Sequence, residues 1–154
     1  MKHTFLVFIF GLITLGMGLN SCDDDGKCGE VNISEAGSTD SHNNGQNCLT
    51  CHQSGGKGEG CFSIAGSVYA ANLSTPLAAG TVKLFSGPNG TGQLMHSIAI
   101  DANGNFHTTE PIDYTGLYAA VTGPSGMTRY MGTQLTNGAC NSCHGASATK
   151  LWGE

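Results

Sequence analysis

The sequence predicts a mainly β fold: a small antiparallel β-sandwich flanked by two loop-rich or short-helical segments. Three observations carry that expectation. Between positions 61 and 123, five or six short stretches alternate apolar and polar residues or group β-branched and aromatic ones. Turn clusters separate them, among them Ser86-Gly87-Pro88-Asn89-Gly90 and Asp101-Ala102-Asn103-Gly104. Finally, 24 glycines and 11% charged residues among 154 exclude a long coiled coil, and the glycines have no triplet period of the collagen kind.

Residues 1–21 are expected to be an export signal. Lys2 and His3 precede an apolar run from Phe5 to Leu19, too short for a comfortable membrane span. Leu19-Asn20-Ser21-Cys22 follows, then Asp23, Asp24 and Asp25. These residues resemble the lipobox of bacterial lipoproteins, with Asn20 an unusual occupant of its position. The resemblance implies lipidation of Cys22, and the acidic run resembles the surface-export signal of Bacteroidetes-type lipoproteins. The alternative is an ordinary secreted chain with Cys22 in a disulfide. Either route places the protein outside the cytoplasm in oxidising surroundings; lipidation would further anchor it to the outer membrane, on its periplasmic face or at the cell surface.

Residues 22–60 form an N-terminal segment rich in Gly, Asn and Ser, with little helix or strand periodicity. The β-sandwich module is expected over 61–123. Its strands are read at Phe62–Tyr69, Thr81–Phe85, Gln93–Ile100, Asn105–Thr109 and Leu117–Val121, with Asp101–Gly104 as a hairpin turn. Ile64-Ala65-Gly66-Ser67-Val68, Pro76–Val82, Asp101–Phe106 and Gly116-Leu117-Tyr118 resemble the carboxypeptidase-regulatory or transthyretin-like β-sandwich. That resemblance implies a structural or binding module without catalysis. Residues 124–154 form a C-terminal segment in which Ala139–Leu151 is expected to be a short helix. Trp152 would cover the sandwich or pack on a cofactor edge.

The chemistry lies in the cysteines. Cys48-Leu49-Thr50-Cys51-His52 and Cys140-Asn141-Ser142-Cys143-His144 are both Cys-x-x-Cys-His, the attachment motif of c-type haem. Two thiols on one turn add to the porphyrin vinyl groups, and the adjacent His sits under the iron as proximal ligand. By composition counting, one chance match is expected in roughly 1% of such chains, and two far more rarely. A zinc site is a rival, but its pairs usually lie about 15–20 residues apart, whereas Cys51 and Cys140 are far separated. A thioredoxin-like pair needs a strand-to-helix setting, and the flanks here are turn-like. Two plain disulfides are the third rival. Cys28 and Cys61 bracket the first motif and are expected to pair, unless one of them pairs with an unlipidated Cys22. Both motifs follow an Asn-Gly step closely, at Asn44-Gly45 and Asn137-Gly138.

Each iron needs a distal ligand unless it binds a substrate. His42, in a polar loop six residues before Cys48, is the first candidate. Met131 follows, with Met127 and Met95 as further thioethers; His96 and His107 fall on strands, His96 on an apolar face. The two motifs behind an export signal resemble a dihaem c-type cytochrome lipoprotein. That implies two covalently bound haem c groups and electron transfer rather than enzyme catalysis. Six basic against eleven acidic residues, a formal net charge of −5, disfavour nucleic acid and favour a basic or multihaem redox partner. Self-association is a further expectation. The other functional classes are a dihaem peroxidase-like enzyme, which needs one open iron, and a β-sandwich binding module or redox sensor with structural haems.

Overall fold

The computed structural model describes residues 28–154; the signal segment and Cys22 lie outside the described residues. Seven strands form two sheets: β1 (Ile64–Ala70), β2 (Thr81–Phe85), β3 (Leu94–Ala99), β4 (Asn105–Thr108), β5 (Tyr118–Thr122), β6 (Thr128–Tyr130) and β7 (Leu151–Gly153). One sheet has the order β4-β1-β7 and the other β3-β2-β5-β6. The chain is mainly β, and the two sheets make a small sandwich. Every pairing is antiparallel except β1 with β7, which is parallel.

The core explains the alternation. Ile64 and Val68 of β1 and Phe106 of β4 are buried against Val82 and Leu84 of β2, Ile98 of β3 and Val121 of β5. Removing such side chains from water at about 25 cal/mol per Å² drives the two sheets together. β1 is buried on both faces, because Ser67 and Tyr69 on its second face are covered by loops.

Three expectations are corrected. First, Ala139–Leu151 is not a helix. Only Cys140–Ser142 forms a single 3₁₀ turn, and the chain then runs through turns into β7. Asn141, Ser142, Gly145, Ser147 and Thr149 offer little helix propensity and no apolar stripe, and the open edge of β1 takes Leu151–Gly153 as a strand. Second, Asp101–Gly104 is a turn but not a hairpin, since β3 and β4 belong to different sheets. Ser34 holds them apart: its hydroxyl donates to Ala99 O (2.7 Å) and its N–H donates to His107 O (3.0 Å). Third, residues 124–154 contribute β6 and β7, strands that alternation does not reveal in segments of three residues. The Cys28–Cys61 disulfide forms as expected, closing a loop with a sequence separation of 33 around the first motif. Cys48, Cys51, Cys140 and Cys143 are not disulfide-bonded.

A candidate pair of haem-attachment sites

Each motif is built the same way. Asn47 caps the 3₁₀ turn Cys48–Thr50 by accepting from Leu49 N, and His52 N donates to Cys48 O at 3.0 Å. In the second motif Cys140–Ser142 makes the same turn, and His144 N donates to Cys140 O at 2.9 Å. Both turns therefore put two cysteines and the following histidine on one short coil.

The histidines are oriented alike. His52 Nδ1 donates to Glu59 O at 2.9 Å, and His144 Nδ1 donates to Thr149 O at 2.7 Å. A carbonyl only accepts, so Nδ1 carries the proton in each ring and the Nε2 lone pair is free. This is how metal-ligating imidazoles are commonly held by a backbone partner. Phe62 stacks on the His52 ring at 4.0 Å and 7°, and His107 stacks on Phe62 at 4.4 Å. Gly58 leaves room for that ring: a Cβ there would lie 2.6 Å from His52 Nδ1.

The thiols differ within each motif. Cys48 and Cys140 are half-buried, while Cys51 and Cys143 are exposed. Burial pushes the Cys48 thiol up, and burial with the nearby Cys48 thiol pushes Cys140 up to about 12. A dithiol redox pair needs a thiolate stabilised near neutral pH, and the first cysteine of each motif is driven the opposite way. Among the described residues, no three His, Cys, Asp or Glu side chains converge to hold a bare metal ion. A porphyrin iron takes four ligands from its own ring and needs at most two from the protein.

Two cavities receive these motifs. The first, about 470 Å³, is lined by Cys48, Cys51, His52, His42 and His107. The second, about 270 Å³, is lined by Cys140, Cys143, His144, Met131, Arg129 and Trp152. The chain thus sorts its candidates. His42 and His107 go to the first cavity and Met131 to the second, whereas His96, Met95 and Met127 line neither. His107 is engaged elsewhere, with Nε2 2.7 Å from Asn32 Oδ1. Burial lowers its pKa to about 4, helped by His52 and His42 and opposed by Asp101. His96 is half-buried, opposite buried Leu84 and on the same strand face as buried Ile98, so it lies on the apolar face as expected but lines neither cavity. Trp152 pairs with Tyr69 in the sheet and also lines the second cavity.

The two sites share a foundation on β1. Ala65 N donates to Gly138 O at 2.9 Å, which fixes the lead-in to Cys140. A Cβ on Gly138 would lie 1.8 Å from Ser63 O, so only Gly permits this approach. Ser67 then joins both motifs through Asn141, which reaches Gln46 O just before Cys48. Sequence reasoning missed this polar bridge, together with Phe62, Asn32 and the Glu59 and Thr149 carbonyls. The only hint of it was a polar residue inside the second Cys-x-x-Cys. Compared with protein families, curated proteins and solved structures, the chain matches none.

Proposed function

We propose that this protein is a dihaem c-type electron carrier, exported and held at a membrane by lipid on Cys22. The observation that carries the reading is the duplicated geometry. Two Cys-x-x-Cys-His turns each present a histidine with Nδ1 tied to a carbonyl, and each opens on its own cavity. Cys48 and Cys51 would hold one haem by thioethers and His52 would ligate its iron; Cys140, Cys143 and His144 would do the same for the second. Haem in such a setting supplies reversible one-electron chemistry at iron.

The remaining work belongs to the chain. Glu59 O and Thr149 O fix the tautomer and ring orientation of the two histidines. Phe62 keeps water from one face of His52. Arg129 Nε is buried without a hydrogen-bond partner at the second cavity, and Lys150 lines that cavity too. Arg129 pairs with Glu154 at 3.1 Å and Lys150 Nζ donates to Leu73 O at 3.1 Å, so a haem carboxylate at this cavity would share or replace those partners. The acidic balance of the chain favours a basic or multihaem redox partner through a small, salt-sensitive contact.

The test is intact mass together with a pyridine haemochrome spectrum, on protein exported from a host that attaches haem c. Two covalent haems and a lipid-modified Cys22 are expected. A mature chain carrying no haem, with disulfides inside the Cys48–Cys51 and Cys140–Cys143 pairs, overturns the reading.

A further inference from the structure

The two cavities are not chemical copies of one another. In the first, the ring centres of His42 and His52 are 6.0 Å apart, tilted by 37°. Two imidazoles sharing one metal come to about this spacing, from metal–nitrogen bonds of about 2 Å and about 1 Å from each nitrogen to its ring centre. The position of His42 is built rather than incidental. Asn103 Nδ2 donates to Ser41 O (2.7 Å) and Thr39 O (2.9 Å), and Asn105 Nδ2 donates to Ser41 Oγ (2.9 Å) and His42 O (3.3 Å). These four bonds clamp residues 39–42 onto the Asp101–Asn105 turn. An exposed side chain on a clamped backbone costs less to order when it takes a ligand.

The second cavity holds no such imidazole. Among the described residues, His144 is its only histidine, and apart from the motif cysteines Cys140 and Cys143 the soft donor on its wall is the Met131 thioether. Met131 N donates to Ala119 O at 2.8 Å, which anchors it beside β5.

Resting on the dihaem reading, we propose that His42 completes the first iron as a second imidazole and Met131 completes the second as a thioether, so that the first site is the lower in potential. A thioether favours the reduced iron relative to a second imidazole. An electron delivered by a one-electron donor protein to the first site would then move to the second. A haem held by Cys48, Cys51 and His52 would give the electron up as one held by Cys140, Cys143 and His144 takes it, and an acceptor protein of higher potential would collect it.

Spectroelectrochemistry of the intact, haem-loaded protein tests this, after mass has counted two haems. A haem count of zero would fail the dihaem reading itself; the outcomes below separate the ligand assignment from it. Two resolved one-electron waves are expected, both centres low-spin, with the far-red thioether-to-ferric-iron band on the higher wave alone. His42→Gly should turn the first centre high-spin and leave the higher wave unmoved, and added imidazole should restore the low-spin spectrum. Met131→His should lower the higher wave and abolish the thioether band. Two identical waves, a first centre indifferent to His42→Gly, or a second centre that is high-spin in the unaltered protein would overturn the assignment.

Discussion

Asn141 and Gln46, 95 positions apart, are joined by a 2.9 Å hydrogen bond from Asn141 Nδ2 to Gln46 O. Asn141 lies inside the second Cys-x-x-Cys and Gln46 lies two residues before the first. Ser67 sits between them on β1: its N–H donates to Asn141 Oδ1 (3.1 Å), and its hydroxyl accepts from Asn141 Nδ2 (3.1 Å) and Gly45 N (2.8 Å). That hydroxyl then donates to Asn105 Oδ1 at 2.6 Å. Asn141, Ser67 and Asn105 are all buried. The network ties both attachment turns and the His42 clamp to a single strand.

Asn141→Leu keeps the branched shape but strands the Ser67 N–H and Gln46 O. Leaving buried polar groups unpaired costs about 1–3 kcal/mol. The expected result is a lower denaturation midpoint. An unchanged midpoint would show that the bridge contributes nothing.

Gly58→Ala should act on one site only. The new methyl would meet the His52 ring at 2.6–2.7 Å, and that ring is pinned between Phe62 and Glu59 O. The ring must turn, and the tautomer-fixing hydrogen bond is lost with it. Loss of an orienting partner of this kind typically costs 10–100-fold in metal affinity or activity. The expected readout is an altered spectrum or incomplete haem loading at the first site, with normal loading on Cys140 and Cys143 by peptide mass. Equal effects on both sites would point to general misfolding instead.

The sheets were readable where residues alternate over four or more positions. Thr81–Phe85 matches β2, and Gln93–Ile100 and Asn105–Thr109 exceed β3 and β4 by a residue or two at their ends. β6 and β7 were not readable, because strands of three residues carry too few alternations and gain their stability from β5 and β1. The two matching Cys-x-x-Cys-His turns were legible as a duplicated motif, and the Cys28–Cys61 disulfide as a leftover cysteine pair. The supporting shell was not, since carbonyls such as Glu59 O and Thr149 O have no sequence signature. Asn141 and Ser67 meet only after β1 brings distant segments together.

Reducing the Cys28–Cys61 disulfide should loosen the first site more than the second. The disulfide closes a loop with a sequence separation of 33, and almost the only regular structure in that loop is the turn Cys48–Thr50. By chain entropy, closure of a loop of this length stabilises by about 3–4 kcal/mol. The Cys28→Ser/Cys61→Ser pair is expected to melt lower by a matching amount, with faster amide exchange over 31–60 and little change over β2 and β5. Uniform exchange across the chain would mean that the disulfide acts on the whole fold.

His107 should make stability depend on pH in a defined window. Burial holds its folded pKa at about 4, below an unfolded value of about 6.5. Asp101 pulls it up, and His52 and His42 push it down further. A depressed histidine pKa means that the unfolded chain binds the proton first. Stability from the neutral ring is therefore complete above pH 6.5, declines as pH falls from 6.5 toward 4, and levels off below that. His107→Phe keeps an aromatic ring against Phe62 and cannot take the proton. Denaturant midpoints followed from pH 7 to pH 4 should fall more steeply for the unaltered protein than for this variant. Parallel curves would mean that His107 is not held neutral, and that the fall comes from other groups.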